Sequence, residues 1–171
     1  MLARMAEGDI DFAVITSPNN PTGKMANETF LKKLLDSSDA LIMVDEAYFE
    51  FSRFSMRPYL DQYENLVILR TFSKAFSLAG VRMGYLLANT SVIREFLKVR
   101  QPYSVDSVSQ AIATAVYRNR SLFVPGINQI IEQRGVLLEE LGKMPGVTAF
   151  DSDSNYVLFR VADAGQVWQG L

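Results

Sequence analysis

Lys74 stands in the run Thr71-Phe72-Ser73-Lys74-Ala75-Phe76-Ser77-Leu78-Ala79-Gly80, with Arg82 shortly after it. Two short hydroxyls before a lysine and a guanidinium behind it suit a phosphate beside an amine. The hydroxyls and the guanidinium fork neutralise phosphate oxygens, and the amine remains free to bond a carbonyl carbon. A lone lysine is ordinarily a solvated surface group. Phe72, Ala75, Phe76 and Leu78 around this one predict burial instead, which would weaken its hold on a proton and suit it to act as nucleophile and then general base. Asp45 ends the apolar run Leu41-Ile42-Met43-Val44. A carboxylate there needs a cation or several donors. A pyridinium nitrogen is one such partner; a helix cap or loop salt bridge is the ordinary alternative. Tyr48 brings a phenol to the same place, although alone it reads as an aromatic core residue. Asn20, alone, reads as a turn residue in Ser17-Pro18-Asn19-Asn20-Pro21-Thr22-Gly23. Each signal is modest singly, and together in this order they converge on one ligand.

The elements that must position these residues follow from periodicity. Phe12 to Thr16, Ala40 to Val44 and Leu66 to Leu69 are continuous apolar runs, each ending in polar residues. Such runs separated by helical patterns predict a mostly parallel sheet covered by helices on both faces, with the ligand at the carboxyl ends of its strands. Asn27 reads as the N-cap of a helix whose apolar face is Phe30, Leu31, Leu34 and Leu35. Gly84 to Ala88 follows Lys74 too closely for a parallel crossover, so that strand is expected to be antiparallel. Helices are expected over Ser91 to Arg100, over Ser107 to Tyr117, and from about Ser121 to Leu141, with Pro125 either in the first turn or just before the helix starts. Val147 to Phe150 and Asn155 to Val161 read as strands of a smaller layer. The chain opens just before a buried strand and closes in Ala164 to Leu171, which reads as a helix broken off after about two turns, with no cap at its end. Four strands are few for a large α/β sheet, so a piece of a longer protein is expected.

Composition narrows the chemistry. The 171 residues contain no cysteine and no histidine. Thiolate metal sites, cysteine nucleophiles, disulfides and Ser-His-Asp triads are excluded, and acid–base work falls to Lys, Tyr, Asp or Glu. A net charge of −2 without basic runs argues against nucleic acid or a membrane as partner. The first residues lack the layout of a signal peptide, so the expected compartment is the cytoplasm. No metal site is expected.

The blocks Ser17 to Gly23, Val44-Asp45-Glu46-Ala47-Tyr48, and Thr71 to Phe76 through Arg82-Met83-Gly84-Tyr85 resemble the signature blocks of fold-type I aminotransferases dependent on pyridoxal 5′-phosphate (PLP). The histidinol-phosphate branch is the most similar. The resemblance continues in register through Leu97 to Tyr103 and Ser154 to Phe159. It implies an α/β fold: part of the PLP-binding large domain over residues 1–120, then a linking helix and the start of a small α+β C-terminal domain over 121–171. It implies that Lys74 would hold PLP as a Schiff base and shuttle the proton at the substrate α-carbon. Asp45 would keep the pyridine nitrogen protonated, Asn20 and Tyr48 would bond the phenolic oxygen, and Thr71, Ser73 and Arg82 would hold the phosphate. It further implies a cis bond at Asn20-Pro21, a homodimer, and amino transfer from histidinol phosphate to 2-oxoglutarate in histidine biosynthesis. Further phosphate and ring contacts, a partner subunit's tyrosine and a substrate-gripping arginine belong to the family but have no matching position in this sequence. Tyr103 to Ser107 departs from the Asn-rich pattern of the family and receives no site role. The rivals are an aromatic or other amino-acid aminotransferase, a PLP decarboxylase of threonine phosphate, and a non-catalytic cofactor-binding or dimerisation module.

Overall fold

A computed structural model describes residues 1–5 and 7–171. Its centre is a four-stranded sheet in the order β1-β2-β3-β4, formed by β1 (Phe12–Thr16), β2 (Leu41–Asp45), β3 (Leu66–Thr71) and β4 (Gly84–Ala88). β1, β2 and β3 are parallel and β4 runs antiparallel to β3, as its short connection requires. The register sets Thr16 beside Asp45 and Asp45 beside Leu69, so the parallel strands end level with one another. That alignment brings three polar turns to one rim of the sheet.

Alternation along each strand sorts the sheet's two faces. Ile42, Val44, Leu66 and Ile68 point to one face, where α2 (Glu28–Asp36) supplies Leu31, Leu34 and Leu35. Met5 from α1 (Leu2–Met5) and Met56 complete this aliphatic core. Asn27 caps α2, its side chain accepting a hydrogen bond from the Phe30 amide. On the opposite face of β1, Phe12 and Val14 are 47% and 49% exposed.

A second core lies beyond the strand ends. Tyr48, Phe51, Phe72 and Phe76 pack there with Ala113 of α5 (Ser107–Arg118) and Ile127 of α6 (Val124–Lys143). α3 (Phe49–Ser52) supplies Phe51, and α4 (Thr90–Val99) follows β4. A 3₁₀ turn at Arg120–Phe123 precedes α6, which carries its proline in the first turn. There the missing amide leaves no hydrogen bond unmade.

The last layer is smaller than the sequence pattern predicts. β5 (Thr148–Ala149) and β6 (Phe159–Arg160) form a two-stranded antiparallel sheet, followed by α7 (Ala164–Gly170). The Phe150 amide still donates to the Leu158 carbonyl at 2.9 Å, but residues between these two bond elsewhere. The Asp153 amide donates to the Gly23 carbonyl at 2.7 Å, its carboxylate accepts from the Met25 amide at 3.0 Å, and Lys24 pairs with Asp151 at 2.9 Å. Gly23, at φ +72°, lies so close to this segment that a Cβ there would meet Ser152 Oγ at 2.4 Å.

Candidate active site

At the end of β2, Asp45 folds its own turn: one carboxylate oxygen accepts the Ala47 amide at 3.0 Å. The turn carries Tyr48 into the aromatic core, where it is 7% exposed. Asn20 reaches across from the β1 turn and donates its side-chain amide to the Tyr48 hydroxyl at 3.2 Å. That β1 turn contains cis bonds at Asn20-Pro21, as expected, and at Ser17-Pro18.

At the end of β3, the Thr71 hydroxyl accepts the Ser73 amide at 3.1 Å, which curls the chain into the Lys74 turn. Phe72, Ala75 and Phe76 turn inward to the aromatic core. The Lys74 ammonium lies 5.5 Å from the centre of the Tyr48 ring. Arg82 adopts the left-handed backbone region at φ 56° and donates to the Ala79 carbonyl at 2.8 Å.

These turns surround an open cavity of about 570 Å³ whose lining includes Asp45, Thr71, Ser73, Lys74 and Arg82. Leu69 and Leu86 provide apolar wall, and Gly84 lets β4 approach closely, because a Cβ there would meet the Arg70 carbonyl at 2.8 Å. Five of the seven residues singled out in the sequence therefore share one cavity. Asn20 and Tyr48 join it through the contact of Tyr48 with Lys74 instead of lining it.

One expectation needs correction. Lys74 is exposed, not buried. The apolar neighbours that predicted burial point into the core, and at this turn the lysine points the other way, into the open cavity. Its reach toward a ligand is thus provided by geometry and not by enclosure.

A larger cavity of about 680 Å³ opens at the other end of the sheet, near Leu41, Asn65 and Ser91. Asp36, Asp39 and Glu64 line it without any lysine or arginine. It does not suit a phosphate, whereas the cavity at the carboxyl ends combines a carboxylate, an amine, two hydroxyls and a guanidinium. That donor set fits a phosphorylated pyridine aldehyde. Asp45 suits the ring nitrogen, Lys74 the carbonyl, and Thr71, Ser73 and Arg82 the phosphate.

The structure adds residues that the sequence reading did not single out. The Tyr156 ring stands edge-on to Tyr48 at 5.4 Å, and its hydroxyl donates to the Asn19 carbonyl at 2.8 Å. Burial raises the Tyr156 phenol above its ordinary value, which keeps it a donor. Glu46 and Arg70 form a buried ion pair at 2.9 Å behind the strand ends. Their signal in the sequence is slight: a charge next to Asp45 and another next to Thr71, both closing apolar strands.

A family model described as "Aminotransferase class I and II" matches residues 1–171. A histidinol-phosphate aminotransferase of Thermoanaerobacter sp. (strain X514) is 42% identical over 157 residues, 92% of this chain and 44% of that protein. The crystal structure of a protein described as a histidinol-phosphate aminotransferase from Erwinia carotovora atroseptica superposes with a TM-score of 0.84 at 25% identity, covering 99% of this chain and 51% of that one. An L-threonine-O-3-phosphate decarboxylase from Porphyromonas gingivalis shares the fold with a TM-score of 0.79 at 24% identity, over 90% of this chain and 48% of that one. The chain spans about half the length of the curated relatives it matches.

Proposed function

The chain belongs to the class I and II aminotransferase family, and from that premise we propose that it forms the PLP-binding half of an aminotransferase acting on histidinol phosphate and 2-oxoglutarate. The observation that carries this reading is the single cavity shared by Asp45, Thr71, Ser73, Lys74 and Arg82. The 42% identity to a histidinol-phosphate aminotransferase supports the substrate. We propose the same division of the chain as the sequence suggests, with residues 1–120 in the cofactor domain and 121–171 leading into a smaller one. A cytoplasmic homodimer completes the proposal.

When bound, PLP supplies an electron sink for charge developing at the substrate α-carbon. The chain's residues do the rest. Thr71 and Ser73 hydroxyls and the Arg82 guanidinium would hold the phosphate. Asp45, placed by its turn beneath the rim, holds a proton on the ring nitrogen. Tyr48, oriented by Asn20, donates toward the ring's phenolic oxygen. Lys74 would hold the cofactor at its carbonyl carbon, the oxygen leaving as water, and once displaced by the substrate's amine its free amine would carry the proton at the substrate α-carbon.

The test begins with PLP and the purified protein. A visible-edge absorbance band should appear, and borohydride should fix the label on Lys74 in peptide mapping. Label on Lys24, Lys32 or Lys98 would overturn the assignment. In the full-length protein, histidinol phosphate with 2-oxoglutarate should then yield glutamate, while residues 1–171 alone should not turn over; release of carbon dioxide from threonine phosphate would favour the decarboxylase instead.

A further inference from the structure

We propose that Glu46 and Arg70 are positioning residues that clamp the Asp45–Tyr48 turn to the Thr71–Lys74 turn and so set the spacing of the cofactor site. This rests on the PLP reading above.

Glu46 directly follows Asp45, and Arg70 directly precedes Thr71. Strand alternation places Arg70 and its partner Tyr85 on the face opposite Thr71 and Gly84. The clamp's side chains therefore lie on the face opposite Thr71, while Arg70 and Tyr85 also border the cavity that Thr71 lines. Glu46 is 1% exposed. One of its carboxylate oxygens accepts Arg70 Nε at 3.1 Å, Arg70 Nη2 at 2.9 Å and the Ser55 hydroxyl at 2.8 Å. The other accepts the Met56 amide at 2.7 Å. Arg70 Nη2 also donates to the Ser55 hydroxyl at 2.7 Å, and the guanidinium stacks over Phe49 at 3.6 Å. The Glu46 amide donates to the Leu69 carbonyl at 2.9 Å, extending the ladder one step past the strand. Both carboxylate oxygens of Glu46 and two of the three guanidinium nitrogens of Arg70 are thus directed at neighbours on a different segment.

Stability alone does not call for charges here. A buried ion pair loses in desolvation much of what it gains by attraction, and apolar residues of similar volume often serve as well. What an apolar pair lacks is direction. A carboxylate engaged by two guanidinium nitrogens, a hydroxyl and an amide fixes the angle between the two turns as well as their distance. Asp45 and Tyr48 hang from one turn and Ser73 and Lys74 from the other, so that angle sets where ring nitrogen and carbonyl carbon must lie. Outer partners that orient metal ligands carry about 10–100-fold in affinity or activity, and an effect of that order is expected of this clamp.

The decisive variant is the double exchange Glu46→Met with Arg70→Met, which leaves no orphan charge. Three quantities are read: melting temperature, PLP dissociation constant from absorbance, and amide hydrogen exchange of peptides holding Ala47 and Ser73 without cofactor. With the clamp, melting should stay near that of the unaltered protein. PLP affinity should fall about tenfold or more, and exchange of both peptides should rise together. An unchanged affinity and unchanged exchange would overturn the proposal and leave the pair a filler of space. If the double variant does not fold, Glu46→Asp withdraws the carboxylate by one methylene and keeps the charge. It should show the same loss of affinity and protection, and normal values for both would again overturn the proposal. Should the unaltered protein bind no PLP, the cofactor reading fails, and hydrogen exchange alone decides whether the two turns are clamped.

Discussion

The two cores are built from different residues and hold different things. The first, under the sheet, is aliphatic: Leu31, Leu34, Leu35, Ile42, Val44, Leu66 and Ile68. It joins one helix face to one sheet face and fixes the strands. The second, beyond the strand ends, is largely aromatic: Tyr48, Phe51, Phe72 and Phe76, with Tyr85, Phe123 and Tyr156 against it. It joins turns, which carry no regular spacing, and its members belong to the segments that bear Lys74 and the Asn20 contact. Large flat rings pack edge-on across irregular backbone, as Phe76 does with Phe123 at 5.4 Å and 82°. A stable platform and an adaptable seat for chemistry are thus separated in one chain.

The sharpest way to test that separation is to remove chemistry without touching either core. Lys74→Ala deletes an exposed side chain, so the melting free energy should stay within about 0.5 kcal/mol. Glutamate formation by the full-length protein should fall by about 10⁴-fold or more, since nucleophile and proton carrier are lost together. A large drop in melting temperature would place Lys74 in the packing after all. Next come truncations of the cores themselves. Phe76→Ala should cost about 3–5 kcal/mol and Leu34→Ala about 2–5 kcal/mol in denaturant titration. They should differ in the folded fraction: Phe76→Ala should weaken PLP binding, because Phe76 buttresses the Lys74 turn, whereas Leu34→Ala should leave binding intact. Equal effects on PLP would erase the distinction between the cores. A smaller effect is expected at Asn27→Ala, about 1 kcal/mol from the lost cap of α2, again with PLP affinity unchanged.

The same division governs how much was legible in the sequence. The aliphatic core repeats with the period of its elements, so Leu31, Leu34 and Leu35 and the runs of β1, β2 and β3 declared themselves. The antiparallel β4 followed from the shortness of its connection. Asp45, Thr71, Ser73, Lys74 and Arg82 could be gathered because parallel strands bring their ends together. The aromatic core offered no such guide. Tyr156 meets Tyr48 across more than a hundred residues, and Glu46 meets Arg70 across two strands. Local periodicity tells which face is apolar, and says nothing about which distant turn a side chain will meet. Lys74 failed for a related reason: apolar neighbours in sequence describe the backbone's surroundings, while a tight turn sends adjacent side chains in opposite directions. β5 and β6 fell short of their apolar runs because their neighbours were taken up by Gly23, Lys24 and Met25.

The smallest expected effect probes where the aromatic core meets charge. Glu50 lies beside Phe49, Arg70, Tyr85 and Tyr117, with Arg118 and Arg120 on the same cavity. Burial raises its carboxyl above the ordinary carboxylate value, opposed more weakly by a backbone hydrogen bond and then by the positive charge of Arg70, and reinforced by the negative charge of Glu46. The native state therefore holds this proton more tightly than the unfolded chain does. Its contribution to stability is fully present below the unfolded value, near 4.3, and is lost as pH rises through the higher native value. Glu50→Gln has no charge to desolvate and keeps nearly the same shape. At pH 7 it should melt at a higher temperature than the unaltered protein, and the gap should close as pH falls through the carboxylate range. A Gln variant that melts lower at pH 7 would mean that attraction to Arg70 outweighs burial. The second core would then tolerate a charge as readily as a surface does, and its contrast with the aliphatic core would rest on packing alone.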